Sequence, residues 1–268
     1  MKILIVGGGN MGQSFAQSFV NNYIADAKNF AVLEKDVSKH DALKKIGINI
    51  IYQSPNDKIE TADLIVLAVK PQSFQMLAED LKKYISNEQV VLSIMAGIDI
   101  HTIKQSLGIE KVIRAMPNMA AQIGKGMSVF TSSDAITRIE LVTVQNLLES
   151  TGKNLYVADE DLIDAGTAVS GSGPAYVLFF MQAISDAAME LGFSKREAEM
   201  LTVQTFKGIV EYFQNTTDTY AELIDKISSK GGTTEAAIKY MLENKLDKSI
   251  KTAVQKAYCR AKELGKKF

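Results

Sequence analysis

"KILIVGGGNMGQSF", Lys2–Phe15, sets an apolar, β-branched run directly against a glycine cluster and then a helix-like segment. Gly7, Gly9 and Gly12 fit G-x-G-x-x-G, with Asn10 and Met11 between the last two glycines. The spacing has a mechanism. The first glycine permits a tight turn, the second lets the backbone approach a pyrophosphate, and the third lets helix and strand pack closely. The next helix would then aim its unpaired N–H groups and positive dipole end at the phosphates. A glycine triplet by itself is also compatible with an ordinary turn, so the surrounding pattern has to decide.

It does so in favour of a doubly wound fold. Five further short apolar runs follow, "FAVLE" (Phe30–Glu34), "INII" (Ile48–Ile51), "DLIVLAV" (Asp63–Val69), "QVVLSI" (Gln89–Ile94) and "KVIRAM" (Lys111–Met116). Most alternate with amphipathic segments such as "SFQMLAEDLKKYI" and "DIHTIKQSLG". Near-continuous apolar strands between helices predict a parallel sheet covered on both faces, a Rossmann-type dinucleotide-binding domain. Ligands of such folds lie outside the carboxyl ends of the strands. There the chain places "AVKP" (Ala68, Val69, Lys70, Pro71), "MAG" with Ala96 and Gly97, and "RAMPN" ending in Asn118. Pro71 and Pro117 each follow a strand at once, where proline ends the ladder. Glu34 closes the second strand, 22 positions after Gly12. A carboxylate there accepts bonds from ribose hydroxyls and repels a 2′-phosphate, which favours NADH, although the adjacent Lys35 could pair with that phosphate instead.

At 268 residues the chain is longer than the usual domain of roughly 100–200 residues, so two domains are expected. Past Leu162 the strand pattern stops, and helix-like segments run over residues 174–191, 194–214, 219–227, 234–244 and 246–264. The expected division is residues 1–160 for the dinucleotide-binding domain and 161–268 for an all-α domain. "AYVLFFMQAISDAAMELG" is apolar nearly all round, which predicts a buried helix and favours a homodimer formed through these helices.

Composition excludes several classes. Thirty basic residues balance 31 acidic ones, without the basic stripe of a nucleic-acid binder. One cysteine, Cys259, forbids an intrachain disulfide and a cysteine zinc cage, and suits a cytoplasmic protein. The apolar start is too short for a signal-peptide core, and the most apolar helix carries Gln182, Ser185, Asp186 and Glu190, so no membrane span is expected. His40 and His101 stand in polar surroundings and read as surface helix residues, and no metal-ligand spacing occurs.

Two further stretches could carry chemistry. "SGSGPAY", Ser170–Tyr176, sets Gly171 and Gly173 around Ser172 before a proline-started helix. "SSKGGTTEAA", Ser228–Ala237, sets two glycines and two threonines before another. A helix start offers N–H donors and about half a positive charge, which suits a carboxylate, while Thr233 and Thr234 add hydroxyls. A flexible loop with a threonine cap is the plainer reading.

In order along the chain, "GGGNMG", "AVKP", "MAG", "IRAMPN", "SGSGPAY" and "SSKGGTTEAA" resemble the pyrroline-5-carboxylate reductase family. The resemblance implies reduction of the cyclic imine 1-pyrroline-5-carboxylate to L-proline by NAD(P)H, on a Rossmann domain followed by a helical domain that forms interlocked dimers, often in rings of dimers. It further implies that Thr234 bonds the ring nitrogen and that Ser229 with the backbone of Gly232, Thr233 and Thr234 takes the carboxylate. By the same resemblance Ser172 and Gly173 wall the substrate, and Ala68, Lys70, Pro71, Ala96, Gly97 and Asn118 line the cofactor. Three departures stand out. Lys230 replaces the family's proline in Ser-Pro-Gly-Gly, Met119–Ala120 replaces Thr-Pro after "MPN", and Thr219–Tyr220 replaces His-Pro. Three rivals remain: a non-catalytic dinucleotide-binding paralogue, a reductase of another small cyclic imino acid, and a β-hydroxyacid dehydrogenase. The last needs a lysine on the first long helix of the second domain, and none occurs between Lys153 and Lys195.

Overall fold

The computed structural model describes residues 1–22 and 27–265. Eight strands form one sheet: β1 (Ile3–Val6), β2 (Phe30–Leu33), β3 (Ile50–Tyr52), β4 (Leu64–Leu67), β5 (Val90–Ser93), β6 (Val112–Met116), β7 (Gly126–Ser132) and β8 (Gly152–Tyr156). Helices α1 (Asn10–Asn21), α2 (His40–Lys45), α3 (Pro71–Leu81), α4 (Ile100–Leu107), α5 (Arg138–Glu149) and α6 (Asp161–Gly166) accompany it. Beyond them lie α7 (Gly173–Glu190), α8 (Lys195–Gln214), α9 (Tyr220–Ile227), α10 (Thr233–Glu243) and α11 (Leu246–Gly265).

The strand order is β3-β2-β1-β4-β5-β6-β7-β8, so the winding reverses between β1 and β4. That switch point opens the crevice where doubly wound folds take their ligands. The expected all-parallel sheet holds through β6, whereas β7 pairs antiparallel with β6 and parallel with β8. The chain crosses from β6 to β7 through one 3₁₀ turn, Met119–Ile123. A link this short can only reverse direction, because a parallel neighbour needs a crossover of a dozen residues or more.

Strand side chains alternate between two cores. Ile3 and Ile5 pack with Phe15, Phe19 and Phe30 on one face, where the three rings meet edge to face at 5.7 and 6.2 Å. Leu4 and Val6 pack with Ile65, Phe74 and Leu81 on the other. Burial on both faces is why these strands read as continuous apolar runs.

The chain divides into two compact units, residues 1–172 with 257–268, and residues 173–256. The division expected at 160/161 falls inside the first unit, where an ion cluster bridges it. The buried Arg114 of β6 donates from Nη1 to Glu160 Oε1 at 3.0 Å and from Nη2 to Asp164 Oδ1 at 2.8 Å, tying α6 to the sheet. Glu160 Oε1 also accepts from Ile100 N at 2.9 Å.

The second unit is helical, as expected. Ser194 and Thr219 each close a capping box, with Glu197 and Glu222 respectively. Thr219 thus supplies a helix start where the family has His-Pro. Tyr220 stacks on Phe213, with ring centroids 4.3 Å apart. The predicted burial of α7 is not met within one chain. None of its residues is buried, and Phe179 is 74% exposed. Among the described residues no helix is long and apolar enough to cross a membrane, and no group of three or more His, Cys, Asp or Glu could hold a metal ion.

Candidate active site

The first βα turn is built as its glycines predict. Gly7 takes φ +106°, and a Cβ there would lie 2.8 Å from the Ala68 carbonyl oxygen, so only glycine fits between β1 and β4. Gly9 is the N-cap of α1 and has nothing within 4 Å of where a Cβ would stand. A Cβ on Gly12 would collide with the Gly7 carbonyl. Asn10 and Met11 form the exposed and half-buried first turn of α1, whose early N–H groups have no partner inside the helix.

Glu34 is 6% exposed, and its carboxylate is fixed from three sides. Oε2 accepts from Gly8 N at 2.8 Å and from Lys39 Nζ at 3.2 Å, while Oε1 accepts from Asp36 N at 2.9 Å. Oε1, with one donor, keeps room for another. Lys35 is exposed and has no ion-pair partner among the described residues. Lys39 is the cation committed here, since it also lies 3.7 Å from Asp36. Bonds from the Ser38 hydroxyl and Ser38 N–H hold the Asp36 carboxyl below its ordinary value. His40 is half-buried rather than a free surface residue, and its Nε2 lies 2.8 Å from the Glu34 carbonyl oxygen. Gly8, Lys39 and His40 were not singled out by motif. A cation and a histidine five and six positions past Glu34, at the start of α2, were the available signal.

A cleft of about 470 Å³ opens beside this carboxylate. Gly7, Gly9, Glu34, Lys35, Ala68, Val69 and Lys70 line it with Gln72 and Ser73 of the same stretch, together with Gln53, Ser54, Pro55 and Met76, which sequence reasoning missed. Pro71 begins α3 at the lip, where its absent N–H costs nothing. Ala96, Gly97 and Asn118 do not line the cleft. Gly97 is buried at φ +74°, and a Cβ there would lie 3.1 Å from Gly265 N. Its glycine is thus required by the left-handed backbone, with the end of α11 packed close, a reason separate from any ligand.

Asn118 is spent on the protein. Its Oδ1 accepts from Ala120 N at 3.2 Å and Met127 N at 3.3 Å, and its Nδ2 donates to Ser170 O at 3.0 Å. The stretch expected as a loop, Ser170–Gly173, is instead helical. Thr167–Gly171 forms a π turn, closed by a bond from Ser172 N to Thr167 O at 2.8 Å, and α7 begins at Gly173. Such bulges often mark functional positions.

In the helical unit, Gly232 is the N-cap of α10, with Thr233 and Thr234 in its first turn. No side chain caps this start, so the reading of threonine as the cap is not realised. Thr234 is half-buried and Thr233 exposed. Gly232 N donates to Ser229 O at 2.8 Å, and a Cβ on Gly232 would lie 2.9 Å from that oxygen. Close approach of Ser229 itself therefore fixes this glycine. Gly231 sits at φ +74° and donates to Glu235 Oε2 at 2.6 Å. Lys230, where the family's proline would stand, is an exposed turn residue.

Residues 160–264 match the family described as pyrroline-5-carboxylate reductase dimerisation, and residues 2–97 match one described as NADP oxidoreductase, coenzyme F420-dependent. A pyrroline-5-carboxylate reductase of Aquifex aeolicus is 34% identical over 265 residues, which cover 98% of this chain and 97% of the relative. The chain belongs to the pyrroline-5-carboxylate reductase family. A Pseudomonas aeruginosa member is 33% identical, covering 100% of this chain and 98% of its own. The solved reductase of Coxiella burnetii superposes with a TM-score of 0.90 at 32% identity, covering 98% of both chains. That of Plasmodium falciparum, determined with NADP bound, gives 0.88 at 27% identity, covering 99% of this chain and 98% of its own.

Proposed function

We propose that this chain reduces 1-pyrroline-5-carboxylate to L-proline at the expense of a nicotinamide dinucleotide. The observation that carries the reading is the first βα turn, with Gly7 closed on Ala68, open space at Gly9 and a buried, three-donor Glu34, in a chain that matches reductases along its whole length. The fit to a dinucleotide is physical: a cradle that a Cβ at Gly9 would partly fill, beside unpaired helix N–H groups. When bound, NAD(P)H supplies the hydride.

The protein's own groups bind and orient. The backbone of Gly7, Gly9, Asn10, Met11 and Gly12 holds the pyrophosphate, and Ala68–Pro71 with Ala96 and Gly97 serve the nicotinamide side, whereas Asn118, its amide committed to backbone, serves only indirectly. Thr234 positions the ring nitrogen through its hydroxyl. Ser229 and the N–H groups of Thr233 and Thr234 take the substrate carboxylate, with Gly232, whose own N–H goes to Ser229 O, shaping the turn, and Ser172 and Gly173 wall the substrate. The substrate imine is protonated near neutral pH, so hydride addition to its carbon yields the neutral ring amine directly. No side chain has to deliver a proton, in keeping with two histidines that play no part in the proposed reaction.

NADH is the preferred donor. Glu34 faces the cleft ready to accept ribose hydroxyls, and Lys39 has its charge committed to Glu34 and Asp36 rather than free for a 2′-phosphate. The chain works as a homodimer through its helical unit. In that unit Ile209, Val210, Phe213, Tyr220, Leu223 and Ile227 line an apolar recess of about 500 Å³, and Phe179 and Leu178 of α7 are exposed. The test is steady-state oxidation of NADH, and separately NADPH, with 1-pyrroline-5-carboxylate. Turnover with a lower KM for NADH is expected. A lower KM for NADPH would shift the cofactor role from Glu34 to Lys35, and no turnover with either would remove the function.

A further inference from the structure

Ser170 presents a carbonyl that the ordinary i→i+4 helical bond cannot satisfy. The residue four positions on is Pro174, which has no N–H to give. The missing donor comes from 52 residues upstream, as Asn118 Nδ2 donates to Ser170 O at 3.0 Å. The amide's orientation is forced, because two backbone N–H groups, of Ala120 and Met127, point at its other end. One side chain thereby joins the turn after β6, the start of β7 and the π turn. Other side-chain bonds on this turn stay within it or reach one turn back: Ser170 Oγ donates to Gly166 O, and Thr167 Oγ1 to Ile163 O. Three of the four hydrogen-bonding capacities of the Asn118 amide are thus committed to backbone, leaving one N–H.

We infer that Asn118 is a positioning residue for hydride transfer, its amide replacing the helical donor that Pro174 lacks and so fixing the backbone of Ser170–Gly173. This rests on the proposed reading in which Ser172 and Gly173 flank the reacting groups. A wall displaced by even 1 Å misaligns donor and acceptor carbons, at a cost of up to about 10²-fold in rate. The loss falls on turnover, because Asn118 acts through the π turn and not on the dinucleotide.

Asn118→Asp in the full-length protein isolates the donor. The carboxylate keeps both acceptor oxygens for Ala120 N and Met127 N but can no longer donate to Ser170 O. At pH 7.5 kcat should fall about tenfold or more, while the Kd for NADH, from its fluorescence, stays within about twofold. Amide exchange at Ser172 should quicken. Adding Pro174→Ala restores an N–H four residues past Ser170, and the double variant should recover most of both losses, which a general loss of structure would not allow. Wild-type kcat in N118D, cofactor affinity that falls in step with kcat, or no recovery with P174A would each overturn the assignment. Should N118D fail to fold, Asn118→Ser, too short to reach Ser170, is compared in the same two backgrounds. A wild-type protein without turnover would sink the functional reading instead, and the exchange measurement would still decide whether Asn118 holds the turn.

Discussion

Replacing Arg114 by methionine should destabilise the sheet unit by about 3 kcal/mol. The guanidinium is 5% exposed and forks between Glu160 at 3.0 Å and Asp164 at 2.8 Å. At an effective dielectric near 20, each contact is nominally worth about 5 kcal/mol. Desolvation of the three ions offsets much of that gross attraction, so the pair energies are not the net effect. What matters is what the substitution leaves behind. Breaking a buried pair costs about 3–5 kcal/mol, chiefly through the uncompensated charge. Here Asp164 is 15% and Glu160 31% exposed, so water can partly take them up, which points to the lower end. For a chain of this size, about 3 kcal/mol corresponds to a Tm lower by about 6–12 °C. Arg114→Lys keeps a charge but loses the fork and should fall between. The assay is urea unfolding followed by near-ultraviolet circular dichroism, with amide exchange along α6. If R114M unfolds at the wild-type urea midpoint, the cluster is effectively solvated and cannot be what holds α6. If R114K matches R114M, the charge contributes nothing.

Glu34→Ser should raise the NADPH-to-NADH ratio of kcat/KM by about 30–150-fold. The repulsion removed is about 4 kcal/mol for charges 4 Å apart, reduced to about 2–3 by the nearby Lys39. An unchanged ratio in steady-state assays would place the ribose elsewhere. Thr234→Ala should lower kcat on the order of 10²-fold, the usual loss for one oriented hydroxyl or amide donor, with the NADH Kd within about twofold. Unaltered turnover would take Thr234 out of the reaction. Acid should weaken the sheet unit. Asp99 and Glu140 lie below their ordinary values of 3.8 and 4.5, because desolvation, which pushes each up, is outweighed by bonds from Thr102 in one case and from Thr137 and Lys111 in the other. A depressed folded-state pKa gives stability that is present above the unfolded value and lost as pH falls through the folded one. Urea midpoints should therefore decline from about pH 4.5 downward, and Asp99→Asn should flatten that decline. Equal slopes for the two proteins would rule out the contribution of Asp99.

The strands β1, β2, β4, β5 and β6 were legible because burial on both faces leaves an unbroken apolar signal, as in "LIVL" of β4. β7 and β8 were not. "GMSVFTS" carries polar residues, and "GKNLY" is an edge strand with half-buried and exposed positions, so neither shows that signal. The helix starts at Ser194 and Thr219 were readable because a capping box is a local device with a local spacing. The π turn was hidden for the opposite reason. "SGSGP" spells a loop by composition, and it is helical only because a donor far away in sequence satisfies what Pro174 cannot. Glu34 was found by its distance from Gly12, but the grip of Gly8 and Lys39 on it depends on how β2 and α2 meet, which no spacing rule contains.

The end of α11 packs against Gly97, although the whole helical unit separates them in sequence. The sheet unit is therefore discontinuous, with residues 173–256 spliced into it. During synthesis the helical unit leaves the ribosome complete before the last piece of the sheet unit exists. Until residues 257–265 emerge, the loop at Gly97 lacks the segment that packs on it in the finished chain.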